Sequence, residues 1–134
     1  MKFSRTPRNC AVVIPCFNEA DRLKVDVFAE FACDCDDVEL IFVDDGSADT
    51  TMQSAQDVAA RAAASVSVLR LDRNGGKAEA VRQGMLWASQ RDFSAIAFWD
   101  ADLATPLDAI ADFVRVMGKF SELEVVFGAR RVLI

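Results

Sequence analysis

The chain alternates short apolar runs with longer segments in which apolar residues recur at helical spacing. The apolar runs predict five strands, at 11–14, 38–43, 66–71, 95–99 and 124–127. The intervening segments predict helices at about 19–32, 49–64 and 77–89, and a fourth that ends near Gly118. Pro15 is expected to stop the first strand, and Thr105, Pro106 and Asp108 form a capping signal for the fourth helix. This alternation is typical of an α/β fold with a parallel sheet.

Composition limits the chemistry that the chain can perform. Its 134 residues suit one domain, 1–134, and a hydrophobic content of 52% argues against disorder. The net charge of −6 argues against a nucleic-acid partner, because phosphate backbones select basic surfaces. The chain has no His and no Tyr, which excludes His-dependent nucleophiles and His-ligated metals. The available Asp and Glu side chains favour oxygen-ligated Mg²⁺ or Mn²⁺.

Cysteine spacing and the N-terminal residues indicate a cytoplasmic setting. The spacing of Cys10, Cys16, Cys33 and Cys35 fits no zinc site, so we expect reduced, core-facing thiols. Residues 1–9 are polar and basic, unlike a signal peptide. No apolar run approaches the ~18 residues of a membrane span.

Polar residues follow each predicted strand, where the loops of a parallel sheet meet at one edge. These segments are 15–19, 44–49, 72–77, 100–102 and 128–131. The most informative is the pair Asp100 and Asp102, which directly follows the run 95–99. Two carboxylates so close repel each other, and a divalent cation that relieves the repulsion can also bind a diphosphate. The pattern therefore predicts a metal-dependent site for a nucleotide-linked substrate.

Each segment has a simpler explanation when taken alone. The stretch 44–49 is rich in Asp, Gly and Ser and is typical of a turn followed by a helix cap. The stretch 74–77 fits a flexible loop and lacks the spacing of a P-loop. Asp100 and Asp102 are also ordinary polar residues for a strand end. The convergence of five such ends favours a ligand site over these separate explanations.

Three segments together resemble the motifs of family 2 glycosyltransferases with the GT-A fold. They are 12–19 (VVIPCFNE), 43–50 (VDDGSADT) and 100–102 (DAD), and the resemblance extends from 11 to about 131. Two further segments, 76–85 and 99–106, are similar to enzymes that transfer a hexose to a polyprenyl phosphate, such as dolichyl-phosphate glucose and mannose synthases. The resemblance implies a three-layer α/β/α fold with a mostly parallel sheet.

The resemblance also implies a role for individual residues. Those implied to border the nucleoside or to shape its loop are Pro15, Phe17, Glu19, Asp44, Asp45 and Ser47. Among them, Asp44 is implied to hydrogen-bond the base. Lys77 and Arg130 are implied to lie near phosphate. Asp100 and Asp102 are the implied catalytic pair, with Asp100 facing the ribose or sugar and Asp102 ligating Mg²⁺ or Mn²⁺.

The implied reaction moves a hexose from UDP-glucose or GDP-mannose to a polyprenyl phosphate with inversion. The acceptor oxygen is already anionic, so a general base is less necessary than for a hydroxyl acceptor. The full-length protein is then expected in the cytoplasm, at the inner face of the membrane. Ala104 and Thr105 stand where mannose synthases often carry Gln-His, which favours a glucosyl-type or bacterial relative. We expect the chain to be the donor-binding part, binding donor weakly and turning over poorly.

Other classes fit parts of the pattern. A phospho-receiver domain also has an acidic pair, but on its first strand, and has a Lys after its fifth. An Asp-x-Asp phosphatase likewise places its motif on the first strand, and nucleotidyltransferases need a Gly-rich loop where 17–19 stands here. A non-catalytic sugar-nucleotide-binding module stays open as an alternative.

Overall fold

The computed structural model describes residues 10–129, which form four strands and four helices in alternation. The strands are β1 (Cys10–Cys16), β2 (Val38–Asp44), β3 (Val66–Arg70) and β4 (Ala95–Phe98). The helices are α1 (Val25–Asp34), α2 (Thr51–Arg61), α3 (Lys77–Ser89) and α4 (Asp108–Lys119). The predicted α/β class and the order of these eight elements are confirmed.

All four strands are parallel, and their order across the sheet is β3-β2-β1-β4. The chain therefore steps from β1 outward to β3, then crosses back over the sheet to place β4 on the other side of β1. Parallel crossovers are right-handed, so this reversal puts α3 on the face opposite α1 and α2. The strand order reverses between β1 and β4, and ligands of folds of this kind bind outside the carboxyl ends of the strands at that point.

Alternate residues of the central strands feed two separate cores. On β1, Val12 and Ile14 face the larger core under α1, α2 and α4, whereas Ala11 and Val13 face the smaller core under α3. Both sets are completely buried. A strand covered by helices on both faces reads as a continuous apolar run, which is why the pattern around 11–14 was unambiguous.

Helix α3 packs unusually close to the sheet because its inner face carries only small residues. Ala80, Gly84 and Ala88 recur at intervals of four and are buried. A Cβ atom built on Gly84 would lie 2.4 Å from Cγ1 of Val13 and 3.0 Å from Cγ2 of Val43. No real side chain tolerates contacts this short, so the close approach of α3 to the sheet depends on the glycine.

Several predicted boundaries are wrong, and each for a local reason. Pro15 does not stop the first strand but pairs with Val43 inside β1. Proline has no N–H to donate to a neighbouring strand. Pairing between β1 and β4 already ends at Val13 and Phe98, so Pro15 costs the sheet no hydrogen bond on the side of β4. Likewise, β2 runs one residue further than predicted, whereas β3 and β4 each end one residue earlier.

Helices α1, α2 and α4 begin later than predicted because hydrogen bonds hold the preceding residues elsewhere. Residues 19–23 form a separate turn, in which the N–H of Leu23 donates to the carbonyl of Glu19 at 2.7 Å, and α1 starts only at Val25. Thr105 does not cap α4: its carbonyl accepts the Nε1–H of Trp99 at 2.9 Å, and the helix begins at Asp108 without a side-chain cap.

The predicted fifth strand, 124–127, is wrong for the part of the chain that the structure describes. These residues carry no strand hydrogen bonding. Val125 is 73% exposed and Phe127 83% exposed. A strand forms only against a neighbour, and this segment pairs with none of β1 to β4. Within residues 10–129, no helix is both long and apolar enough to span a bilayer.

We predict that Gly84→Ala lowers the free energy of unfolding by about 1–3 kcal/mol, because the added methyl group overpacks the contact with Val13. Urea denaturation of the chain measures the change. Gly118→Ala is the matched control: it is also a helical glycine, but nothing lies within 4 Å of its added Cβ. That control should be neutral or stabilising by up to ~1 kcal/mol. Equal losses in both variants would contradict the close-packing explanation.

Candidate functional site

The site lies where β1, β2 and β4 end and α3 begins. Residues 17–19 follow β1, residues 45–47 follow β2, residues 100–102 follow β4, and the loop 71–76 leads into α3. This is the carboxyl edge of the sheet at the point between β1 and β4 where the strand order reverses, and loops from both halves of the fold converge there.

Hydrogen bonds join the loop after β1 to the loop after β2. The backbone N–H of Asn18 donates to Oγ of Ser47 at 3.0 Å, and the N–H of Ala48 donates to Oδ1 of Asn18 at 3.1 Å. Asn18 has a φ of 50°, a left-handed conformation that asparagine tolerates better than most residues. The two loops therefore form one continuous surface rather than two mobile segments.

Asp45 is buried and fully engaged by the loop before α3. Its Oδ1 accepts the N–H of Gly75 at 2.8 Å, and its Oδ2 accepts the N–H of Gly76 at 2.9 Å and Nδ2 of Asn74 at 3.0 Å. Next to it, Gly46 has a φ of +68°, and an added Cβ would lie 2.6 Å from the backbone nitrogen of Asn74. Asp45 and Gly46 therefore hold the loop tightly against the end of β2.

Asp44 is equally buried but is only half satisfied. Its Oδ1 accepts the N–H of Ser47 at 3.3 Å, whereas its Oδ2 has no hydrogen-bond partner among the described residues. A buried carboxylate oxygen without a donor is costly, so a bound ligand that supplies an N–H gains more at this atom than at an exposed one. Asp44 is therefore suited to accept a hydrogen bond from a ligand.

The residues around Asp44 form an apolar rim with one acidic side chain. Phe17 is 45% exposed although it is aromatic, and Pro15 is half-buried at the end of β1. Oε2 of Glu19 lies 3.1 Å from Nε of Arg22, an ion-pair distance without hydrogen-bond alignment. An exposed aromatic ring at an edge that also carries a hydrogen-bond acceptor suits a flat heteroaromatic ligand.

Cys16 lies close to these acids and is not a nucleophile. Burial, and secondarily the charges of Glu19 and Asp44, raise the pKa of its thiol to about 12. The thiol therefore stays protonated at neutral pH. All four cysteines are free, but only Cys10 and Cys16 are buried; Cys33 is exposed and Cys35 intermediate, so the prediction of core-facing thiols holds for two of them.

Asp100 and Asp102 stand on a tight turn above a buried tryptophan. Oδ1 of Asp102 accepts the N–H of Ala104 at 2.9 Å, and Leu103 has a φ of 57°, rare for a leucine. Trp99, directly before the turn, is buried and packs edge-on against Phe113 with ring centroids 5.5 Å apart. The turn is thus fixed from below while its two carboxylates face outward.

Lys77, the first residue of α3, forms an ion pair with Oδ1 of Asp100. The side chain of Lys77 is 61% exposed and that of Asp100 is 42% exposed. An exposed pair of this kind is worth only about 0.2–1 kcal/mol, so either partner can exchange it for another contact.

The acid pair fits a hard divalent cation only in part. Among residues 10–129, no group of three or more His, Cys, Asp or Glu side chains could hold a metal ion. Mg²⁺ is commonly held by one or two carboxylates together with substrate phosphates and water. Asp100 and Asp102 would supply the two carboxylates of such an arrangement.

The structure brings most of the predicted site residues to one edge of the sheet. Those gathered there are Pro15, Phe17, Glu19, Asp44, Asp45, Ser47, Lys77, Asp100 and Asp102. Arg130 lies outside the described residues. Sequence motifs did not indicate the roles of Asn18, Asn74 and Thr51, whose side chains bind backbone groups of neighbouring loops. Their residue types were the available signal, because Asn and Thr often bond to backbone in turns.

Comparison with known proteins supplies the family. The sequence profile described as "Glycosyl transferase family 2" matches residues 11–132. The chain belongs to glycosyltransferase family 2. This membership, together with a sheet order in which β1 lies between β2 and β4, sets aside the phospho-receiver interpretation, since receiver domains place β1 between β2 and β3.

Two curated relatives illustrate the range of this glycosyltransferase family. The uncharacterized glycosyltransferase YkoT of Bacillus subtilis (strain 168) is 34% identical over 135 residues, covering 90% of this chain and 37% of the relative. The undecaprenyl-phosphate 4-deoxy-4-formamido-L-arabinose transferase of Edwardsiella ictaluri (strain 93-146) is 30% identical over 114 residues, covering 82% and 34%. The chain therefore spans about a third of the length of these relatives.

Solved glycosyltransferases share the fold. S. aureus TarS 1-349 superposes with a TM-score of 0.66 at 19% identity, covering 83% of this chain and 32% of that one. The mannosyltransferase PcManGT of Pyrobaculum calidifontis, solved in complex with GDP-Man and Mn²⁺, gives a TM-score of 0.65 at 23% identity, covering 84% and 33%. The GT-A fold expected from the sequence is thereby confirmed.

We predict that the two neighbouring aspartates of this glycosyltransferase differ in their contribution to stability. Asp45→Asn should lower the free energy of unfolding by about 2 kcal/mol, because its amide group would face backbone donors. Asp44→Asn should change it by less than about 1 kcal/mol, because it loses at most one long hydrogen bond. Urea denaturation of both variants measures the difference, and the reverse order would contradict the assignment.

Proposed function

We propose that the protein is a metal-dependent glycosyltransferase that moves a hexose from a nucleoside-diphosphate sugar to a polyprenyl phosphate with inversion. The observation that carries the proposal is Oδ2 of Asp44, a buried acceptor without a donor at the carboxyl edge of the sheet. Family membership supports the transferase chemistry. Donor, acceptor and metal requirement are argued below from the residues of the site.

The base of the donor is placed against Phe17 and Asp44. Uracil and guanine each carry an N–H edge that can donate to Oδ2 of Asp44 and satisfy it. The exposed ring of Phe17, with Pro15 and Glu19, borders the nucleoside on the other side. Asp45 and Ser47 take no part in binding the base directly; they shape its loop through the bonds to Gly75 and Asn18.

The diphosphate of the donor lies between Lys77 and the acid pair. Lys77 supplies an ammonium group at the start of α3, where the N-terminal end of the helix also favours an anion. Arg130 is assigned to the same phosphate from the resemblance. Asp100 and Asp102 would hold Mg²⁺ or Mn²⁺, which when bound neutralises charge on the leaving diphosphate. PcManGT, solved with GDP-Man and Mn²⁺, supports this pairing of donor and metal.

The acceptor is a polyprenyl phosphate, as the name of the undecaprenyl-phosphate transferase relative suggests. A phosphate oxygen is anionic at neutral pH, so it can attack the anomeric carbon without a general base. This agrees with a chain that contains no His and whose buried thiols stay protonated. Attack on the face opposite the departing diphosphate inverts the anomeric centre. A lipid acceptor places the whole protein at the cytoplasmic face of a membrane.

A second candidate is a non-catalytic sugar-nucleotide-binding module. It requires only the donor-side residues that the described chain gathers at the edge of the sheet. The two candidates predict the same donor site and differ in turnover. Sustained hexose transfer to a polyprenyl phosphate by this chain alone would exclude the binding-module interpretation.

We predict metal-dependent donor binding that needs Asp102. Trp99 adjoins Asp100, so its emission reports on the acid pair; Trp87→Phe leaves Trp99 as the sole tryptophan of the two in the chain. Titrating Mn²⁺ with UDP-glucose, and separately with GDP-mannose, should quench emission with one of the two. Asp102→Ala should abolish the metal-dependent part, because it removes one of two protein ligands. No response to either nucleotide from the folded chain would refute the donor site.

We predict that Asp44→Asn weakens nucleotide binding at least tenfold, about 1.4 kcal/mol, because an amide nitrogen replaces or competes with the acceptor. Isothermal titration with UDP and GDP in the presence of Mn²⁺ measures the loss. Glu39→Gln is the matched control: it is a buried carboxylate on the same strand, bonded to Ser67 at 2.7 Å near the opposite end of the sheet. Equal loss in both variants would indicate a general effect on folding.

A further inference from the structure

The ion pair between Lys77 and Asp100 joins the two groups that the proposed function assigns to opposite partners. Lys77 is assigned to the donor's phosphate, and Asp100 to the divalent cation, yet without ligands they contact each other. A contact that ligand binding must break links the binding of the donor to the binding of the cation. It therefore has a consequence for binding that neither residue has alone.

The backbone of Lys77 is fixed, whereas its ammonium group is free to move. Gly75 and Gly76, directly before it, donate both N–H groups to the buried carboxylate of Asp45. The ammonium group sits at the end of a flexible four-carbon stem, and its side chain is 61% exposed. Lys77 can thus change partner without any movement of α3.

Glu79, the other charged residue in the first turn of α3, offers Lys77 no open alternative to Asp100. Glu79, the acid in the first turn of α3, already accepts both Nε and Nη2 of Arg82, and also Nε2 of Gln83. These bonds lower the pKa of Glu79 to about 2, so it stays ionised and engaged at neutral pH. The partner that a displaced ammonium group would meet is the diphosphate of an incoming donor.

We propose that Lys77 is an internal counterion that occupies Asp100 before substrate binds and transfers to the donor's diphosphate when a divalent cation takes its place. The inference rests on the proposed function. An ammonium group and a divalent cation repel each other at one carboxylate, so each excludes the other from Asp100. The nucleotide-free site consequently binds metal weakly, and metal and diphosphate bind together, each relieving the obstacle to the other.

The test measures Mn²⁺ binding without nucleotide, by electron paramagnetic resonance of the free ion. Lys77→Met should bind Mn²⁺ about two- to fivefold more tightly than the unmodified chain, the range expected from an exposed ion pair. Arg73→Met is the matched control. It removes one positive charge from the loop 71–76, which leads into α3, and Arg73 has no ion pair with any described residue. The control should leave Mn²⁺ affinity unchanged.

A second measurement follows UDP and GDP binding without metal by isothermal titration. Lys77→Met should weaken it by at least threefold, so that one substitution moves metal and nucleotide affinities in opposite directions. Any of three results would overturn the proposal: Mn²⁺ affinity that is unchanged in Lys77→Met, an equal increase of Mn²⁺ affinity in Arg73→Met, or no Mn²⁺ binding in any variant. Unchanged nucleotide affinity would overturn the transfer to diphosphate. If the unmodified chain binds no nucleotide with Mn²⁺ present, the proposed function is overturned instead. The comparison of Mn²⁺ affinities then still tests whether Lys77 and the cation compete for Asp100.

Discussion

The site depends on the hydrogen bonds made by Asp45. Its carboxylate holds the N–H groups of Gly75 and Gly76, and its own N–H donates to the carbonyl of Cys16 at 2.8 Å. One buried residue therefore joins the ends of β1 and β2 to the start of α3. Without it, the loop that leads to Lys77 would lose the hydrogen bonds that hold it against the ends of β1 and β2.

Asp44 and Asp45 show how adjacent identical residues acquire different functions. Side chains alternate along a strand end, so the two carboxylates point in different directions. The carboxylate of Asp45 accepts two backbone N–H groups and the amide of Asn74, whereas that of Asp44 accepts one N–H at 3.3 Å and has one oxygen without a partner. The fold satisfies one acid and leaves the other for a ligand. The distinction is one of available donors, because both residues are almost completely buried.

The sequence was sufficient for the strands, their parallel arrangement and the edge at which the site lies. Continuous apolar runs such as 38–43 and polar strand ends such as Asp100 carry that information locally. The hydrogen bonds within the site could not be predicted from the sequence, because they join residues that are distant along the chain. Asn18 and Ser47, for example, are 29 positions apart. Nor could residue type alone separate the roles of Asp44 and Asp45. The segment 124–127 shows the opposite error: its composition suits a strand, but a strand also needs a neighbour.

The close contact at Gly84 extends the site to a residue that touches no ligand. Gly84 lies seven residues after Lys77, about 10 Å along the axis of α3. The helix is nearly rigid over this length, so its height above Val13 also sets the height of Lys77 above the sheet. A larger residue at 84 would press α3 away from Val13 while leaving every site residue chemically intact. A side chain that consists of one hydrogen atom can therefore limit how closely the helix that begins at Lys77 approaches the sheet.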